Sequence, residues 1–167
     1  MKADISFETK CIAYLCARSE HEKQPRLAPA TGFFWRHGGK TYLVTNRHVV
    51  TGRYANNQPL KDGFDPLFLD AHFYQKSGQA RQGYTPVELK RIRKTLYKNC
   101  EPDWIEHPDD RNFDVVAIEL CESLDVYAVN DKEQHDEIWL EAGADCFVVG
   151  YPERLTGPAL TPIWKRA

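Results

Sequence analysis

Apolar and polar positions along this chain repeat with a period of two far more often than with a period of 3.6. Period-two alternation sends successive side chains to opposite faces of a strand. Ile12, Tyr14 and Cys16 alternate with Ala13 and Leu15, which predicts a strand over about residues 5–18. Ser19 to Pro29 is charged and proline-bounded, a loop. Phe33-Phe34-Trp35 and Thr41-Tyr42-Leu43-Val44-Thr45 flank Arg36-His37-Gly38-Gly39-Lys40, and Gly-Gly between such runs predicts a hairpin. Leu67 to Tyr74 is a further strand, with Ser77-Gly78-Gln79 as its turn. Val87, Leu89 and Arg91 alternate with Glu88 and Lys90, the pattern of a half-exposed strand. Val115 to Leu120 is near-continuously apolar and suits a central buried strand. Asp145 to Val149 is another, closed by Gly150-Tyr151-Pro152, and a last strand runs from Thr161 to Ala167. Helical signal is confined to one turn over Asn46 to Thr51 and a short helix over Asp131 to Leu140. Short strands punctuated by Gly and Pro predict an all-β barrel or sandwich.

The composition is that of an ordinary globular chain. Its 167 residues allow one core, and 22 Lys+Arg against 24 Asp+Glu give a formal charge of −2. Such a balance gives no overall pull toward nucleic acid or acidic lipid. The five cysteines, Cys11, Cys16, Cys100, Cys121 and Cys146, are odd in number and form no Cys-x-x-Cys pair. A disulfide framework favours an even count, so reduced thiols are expected, mostly half-buried. His and Cys never fall at metal-ligand spacing, and neither a metal nor another cofactor is expected. Met1 to Glu8 has no apolar signal-peptide core, and Val115-Val116-Ala117-Ile118 is too short to span a bilayer. A cytoplasmic location follows as the expectation. Lys90, Arg91, Arg93, Lys94 and Lys98 form a basic run, and Glu101 to Asp114 is acidic. Only Tyr97 is interleaved with the bases, which favours a solvated strand pair with complementary charges over a nucleic-acid stripe.

Two local motifs carry chemistry. Tyr42-Leu43-Val44-Thr45-Asn46-Arg47-His48-Val49-Val50 runs a strand into a polar turn that ends on a histidine. Asn112-Phe113-Asp114-Val115-Val116-Ala117-Ile118-Glu119-Leu120 sets an acid at the head of an apolar strand. A carboxylate beside apolar residues needs a polar partner. An imidazole supplies one, and the carboxylate in return fixes its tautomer and stabilises the imidazolium. Such a pair is a general base for a hydroxyl or thiol nucleophile. His21, His37, His72, His107 and His135 occupy polar or turn contexts and are expected at the surface. Trp35, Trp104, Trp139 and Trp164 are expected in the core or at an interface.

Thr31-Gly32-Phe33, then Val44-Thr45-Asn46-Arg47-His48-Val49-Val50, then Phe113-Asp114-Val115-Val116-Ala117-Ile118-Glu119-Leu120 resembles the trypsin-like serine peptidases, in particular their bacterial, Deg-protease-like branch. The order His before Asp agrees with that family. The resemblance implies a double β-barrel, with His48 as general base and Asp114 as its orienting acid. Asp145-Cys146-Phe147-Val148-Val149-Gly150-Tyr151-Pro152 is similar to the start of the family's second barrel. The implied layout is a first barrel over 1–125, a linker over 126–144, and a truncated second barrel over 145–167.

One part of the family pattern is missing. The nucleophile belongs in Gly-x-Ser-Gly after the Asp, and none of Ser6, Ser19, Ser77 and Ser123 lies in such a motif. Ser123 alone follows Asp114, with no glycine to form an oxyanion hole. Cys146, in a buried-strand pattern, is no replacement. The expectation is thus the N-terminal part of a trypsin-like serine endopeptidase, acting on a peptide or protein substrate and inactive alone. The alternative is an inactive peptidase-like barrel that binds peptides or proteins. No nucleic-acid or membrane partner is expected; a second copy or partner protein is expected over the unfinished second barrel.

Overall fold

The computed structural model describes residues 5–19, 29–54, 56–60, 64–78, 86–108, 113–121, 124–131, 146–152 and 161–166. The first element among the described residues is a one-turn helix, α1 (Phe7–Lys10), where a strand was expected. Ser6 Oγ accepts the Thr9 N–H at 3.3 Å, capping the turn, and Glu8 and Lys10 suit its two ends. Extended structure therefore starts only at β1 (Ile12–Arg18).

Six more strands complete an antiparallel sheet: β2 (Ala30–His37), β3 (Lys40–Thr45), β4 (Phe68–Lys76), β5 (Val87–Thr95), β8 (Ile105–Glu106) and β9 (Val116–Glu119). Their spatial order is β5-β4-β1-β2-β3-β9-β8. The expected hairpin joins β2 to β3, with His37 opposite Lys40. Gly38 and Gly39 both hold positive φ, 56° and 77°, the backbone of a tight two-residue hairpin turn. Two short strands, β6 (Tyr97–Lys98) and β7 (Glu101–Pro102), form a separate ribbon beside the end of β5. A second hairpin, β10 (Phe147–Gly150) with β11 (Ile163–Arg166), stands apart from the large sheet.

One face of the large sheet makes the core. Leu15, Phe34, Leu43, Leu69, Phe73, Leu96, Val116 and Ile118 are fully buried there, and the rings of Phe34 and Phe73 meet edge to face at 4.9 Å. Val126 and Ala128 belong to the same core, so it extends past residue 125. The fold is all-β, as the alternation requires. The sheet is open: among the described residues nothing pairs β5 with β8 to close a barrel. The turn expected over Asn46 to Thr51 exists as α2 (Arg47–Thr51), ended by Gly52. Ser123, most of the linker and the helix expected beyond Asp131 lie outside the described residues.

Charge runs split more finely than the sequence suggests. Lys94 pairs with Asp103 at 2.7 Å and Lys98 stands opposite Glu101, as complementary strands would. Arg91 and Arg93 turn instead toward Asp70 on β4. Cys11 and Cys16 are buried, whereas Cys100, Cys121 and Cys146 are exposed. Exposure of Cys146 corrects the buried-strand reading: the β10–β11 hairpin leaves Phe147, Val148 and Trp164 exposed as well.

Candidate active site

Strand register builds the site. In the β3–β9 pair Thr45 stands opposite Val116, so the residues after Thr45 meet those before Val116. Asn46 and His48 leave the end of β3 through α2, and Asp114 lies two residues ahead of β9. The sheet thereby joins two motifs separated by 66 residues.

Asp114 Oδ2 lies 2.6 Å from His48 Nδ1. A carboxylate only accepts, so Nδ1 carries the proton and Nε2 is left as the basic nitrogen. Asp114 Oδ1 accepts the His48 backbone N–H at 2.9 Å. That amide belongs to the first turn of α2, whose N-cap Asn46 makes no side-chain cap of its own. The carboxylate thus caps the helix from the segment that precedes β9 and binds the ring at once. Asn46 holds the acid in turn: its Nδ2 donates to Asp114 O at 3.0 Å and to Asp114 Oδ2 at 3.2 Å. The pair is open to solvent, with His48 and Asp114 side chains 40% and 42% exposed.

Arg47 points the opposite way from its neighbour. It is buried, with Nε 3.2 Å from Glu106 Oε2 on β8, and Trp104 Nε1 donates to Glu106 Oε1 at 2.9 Å. This packing fixes α2 from behind, so the imidazole is carried on an anchored turn.

His48 opens onto a cleft of about 650 Å³ between the large sheet and the β10–β11 hairpin. Thr31 and Asn46 line the sheet side; Val148, Tyr151, Ile163 and Trp164 line the hairpin side. Thr31 Oγ1 accepts the Tyr151 N–H at 2.9 Å, tying the two walls together. A Cβ on Gly150 would fall 2.8 Å from Thr31 Oγ1, so only glycine lets the hairpin approach this closely. The Tyr151 ring is buried edge-on to Tyr14 at 5.0 Å, and that burial, with the neighbouring Tyr74 and Tyr14, raises its phenol well above the ordinary value. Trp164 Nε1 reaches Thr9 Oγ1 at 3.3 Å, which anchors the far strand of the hairpin.

His48 and Asp114, singled out from the motifs, therefore meet. Among the described residues that line the cleft there is no serine or cysteine. The other described histidines do not line the cleft: His37 is exposed, and His107 packs on Phe113. His72 is half-buried, not superficial; burial lowers its imidazole, and the Arg91 charge adds to the effect. His21 and His135 lie outside the described residues. Sequence reading missed Asn46, whose role depends on the register, and Tyr151 and Trp164, whose wall forms only when the hairpin docks. Among the described residues no group of three or more His, Cys, Asp or Glu gathers as a metal site, and no helix is long and apolar enough to cross a membrane.

Searched against known proteins, the chain matches no family model, no curated relative and no solved structure.

Proposed function

We propose that His48 and Asp114 are the general base and orienting acid of a trypsin-like serine peptidase, with β10 and β11 as the beginning of its second barrel. The observation that supports the reading is the 2.6 Å contact between Asp114 Oδ2 and His48 Nδ1, with Asp114 also on the His48 amide. In this mechanism His48 Nε2 takes the proton of a serine hydroxyl as its oxygen attacks the peptide carbonyl. Asp114 stabilises the imidazolium, which then gives the proton to the departing amine. Water resolves the acyl-enzyme by the same base. The nucleophile is none of this chain's own serines, which lie outside any Gly-x-Ser-Gly.

Reading the gene past the Ala167 codon and expressing its full product tests the proposal. An in-frame Gly-x-Ser-Gly and a peptidase activity abolished by His48→Ala are the expected results. A stop codon directly after Ala167, with no His48-dependent hydrolysis of a fluorogenic peptide library, would overturn it.

A second reading is a peptide- or protein-binding module without catalysis. It is favoured by one observation, a cleft walled by Tyr151 and Trp164 whose described lining includes neither serine nor cysteine. Under it, His48→Ala leaves peptide affinity within about twofold, as for a solvent-exposed rim contact.

A further inference from the structure

Asn46 and Asp114 have exchanged the tasks that their places in the chain would give them. Asn46 is the N-cap of α2 and has the extended backbone of a cap, φ −70° and ψ 142°. A side chain there ordinarily accepts the N–H of the second or third helical residue. The Asn46 side chain accepts neither. Its backbone carbonyl takes the Val49 N–H at 3.1 Å, and the His48 N–H goes to Asp114 Oδ1 at 2.9 Å. The cap is thus supplied from 66 residues away, and the Asn46 side chain is turned to another use.

That use is to hold Asp114. Asn46 Nδ2 donates to the Asp114 backbone O at 3.0 Å and to Oδ2 at 3.2 Å. Both atoms only accept, so the amide is oriented with its NH2 group toward the acid, one hydrogen for each oxygen. The two bonds reach the backbone and the side chain of one residue. They close a ring across Asp114 and fix the torsions between its carbonyl and its carboxylate. Among the described residues the carboxylate then has three donors: the His48 N–H on Oδ1, and His48 Nδ1 and Asn46 Nδ2 on Oδ2. Two of them belong to the histidine that the acid orients. Asn46 brings the third, independent of that ring.

Exposure makes the third donor matter. His48 and Asp114 stand partly in water, and Asn46 is exposed as well. In a core, close packing fixes a side chain; at this surface the hydrogen bonds set the direction of the carboxylate. The demand at position 46 is specific. Aspartate is as good an N-cap as asparagine but has no donor, and its charge would lie close to Oδ2, where like charges repel. Serine caps well too, but one hydroxyl hydrogen cannot serve two Asp114 oxygens. Either would cap α2 by itself and leave Asp114 less constrained.

We infer that Asn46 is a positioning residue: its Nδ2 locks the Asp114 carboxylate against His48 and so keeps the ring proton on Nδ1. It acts through Asp114 and touches no reacting atom. The inference rests on the peptidase reading only for its effect on turnover. Its effect on the tautomer follows from the three side chains alone.

The test is nitrogen-15 NMR of the His48 ring in the whole chain, at about pH 9, above the ordinary imidazole range. Wild type is compared with Asn46→Asp and Asn46→Ala. The wild-type ring is expected to carry its proton on Nδ1. Asn46→Asp, which caps α2 and repels Asp114, is expected to move the proton to Nε2 in at least about half of the molecules. Asn46→Ala, which removes the donor and adds no charge, is expected to move it in the same direction by a smaller amount. Both variants are expected to keep the wild-type circular dichroism spectrum, because the Asn46 side chain does not cap α2. In the full gene product Asn46→Asp is expected to lower kcat by about 10²-fold and to change KM less than about threefold. A wild-type tautomer in Asn46→Ala would show the donor to be unnecessary and overturn the inference; so would a wild-type tautomer in Asn46→Asp. Either result beside a peptidase activity that needs His48 would leave the catalytic reading standing. A shifted tautomer in both variants, while His48→Ala leaves the full gene product's peptidase activity intact, would refute the catalytic reading and spare this one.

Discussion

Asp70 and Asp114 are two carboxylates on one sheet, each hydrogen-bonded to basic side chains, and they differ in almost everything that follows. Asp70 is wholly buried and gripped by three guanidiniums. Asp114 stands at a cleft mouth, half in water, against one imidazole. A guanidinium does not give up its proton, so the Asp70 cluster can only hold charge in place. An imidazole can both accept and donate a proton, so under the proposed function the Asp114 pair is the one that moves one. Burial and the choice of partner, not the carboxylate, separate a buried electrostatic anchor from the pair proposed to relay a proton.

The comparison breaks most visibly on turnover. If Asp114 orients the base, Asp114→Asn in the active gene product lowers kcat by about 10⁴-fold, because the amide favours the wrong tautomer. Nitrogen-15 shifts of His48 report that tautomer directly; unchanged shifts with unchanged kcat would remove Asp114 from the mechanism. The next largest effect is on stability. Asp70→Asn leaves three arginines around a neutral amide and is expected to cost about 3–5 kcal/mol in urea unfolding.

Acid sharpens the same contrast. Asp70 falls from an ordinary 3.8 to about 2 in the fold, so between those values the unfolded chain binds more protons than the native one. The stabilisation is complete above about pH 4 and is lost as pH falls toward 2, on the order of 2 kcal/mol in all. Wild type should show that slope in acid-dependent unfolding, and Asp70→Asn should not. The smallest effect is that of Asp114→Asn on stability, expected below about 1 kcal/mol because the pair is solvent-screened. A larger loss would mean that capping α2 is the main work of Asp114.

What could be read in advance follows the same division. Period-two alternation marks β1 and β5, the Gly-Gly turn marks β2 and β3, and near-continuous apolar runs mark β9 and β10. The polar turn after β3 and the acid before β9 are local patterns, and β3–β9 pairing brings them into contact. The Asp70 cluster has no local signature. Its members, Arg18, Asp70, Arg91 and Arg93, meet only through register across β1, β4 and β5, and along the chain they look like ordinary solvated charge. The α1 turn was hidden differently: Ser6 is a sufficient cap, but Ile5 and Phe7 fit a strand equally well. The cleft wall was hidden because Gly150 and Tyr151 meet Thr31 and Tyr14 only once the hairpin docks.

That last contact has a bearing on the order of folding. The Tyr151 amide reaches Thr31 across 120 residues of chain, whereas His37 and Lys40 close their hairpin across two glycines. Closing the longer loop carries the greater entropic cost and comes later. The His48–Asp114 contact spans 66 residues, intermediate between the two, so the wall is expected to close last. In native-state hydrogen exchange the Tyr151 amide should open at lower free energy than those of β2 and β3. That outcome would give the cleft one lasting side and one that is repeatedly made and unmade.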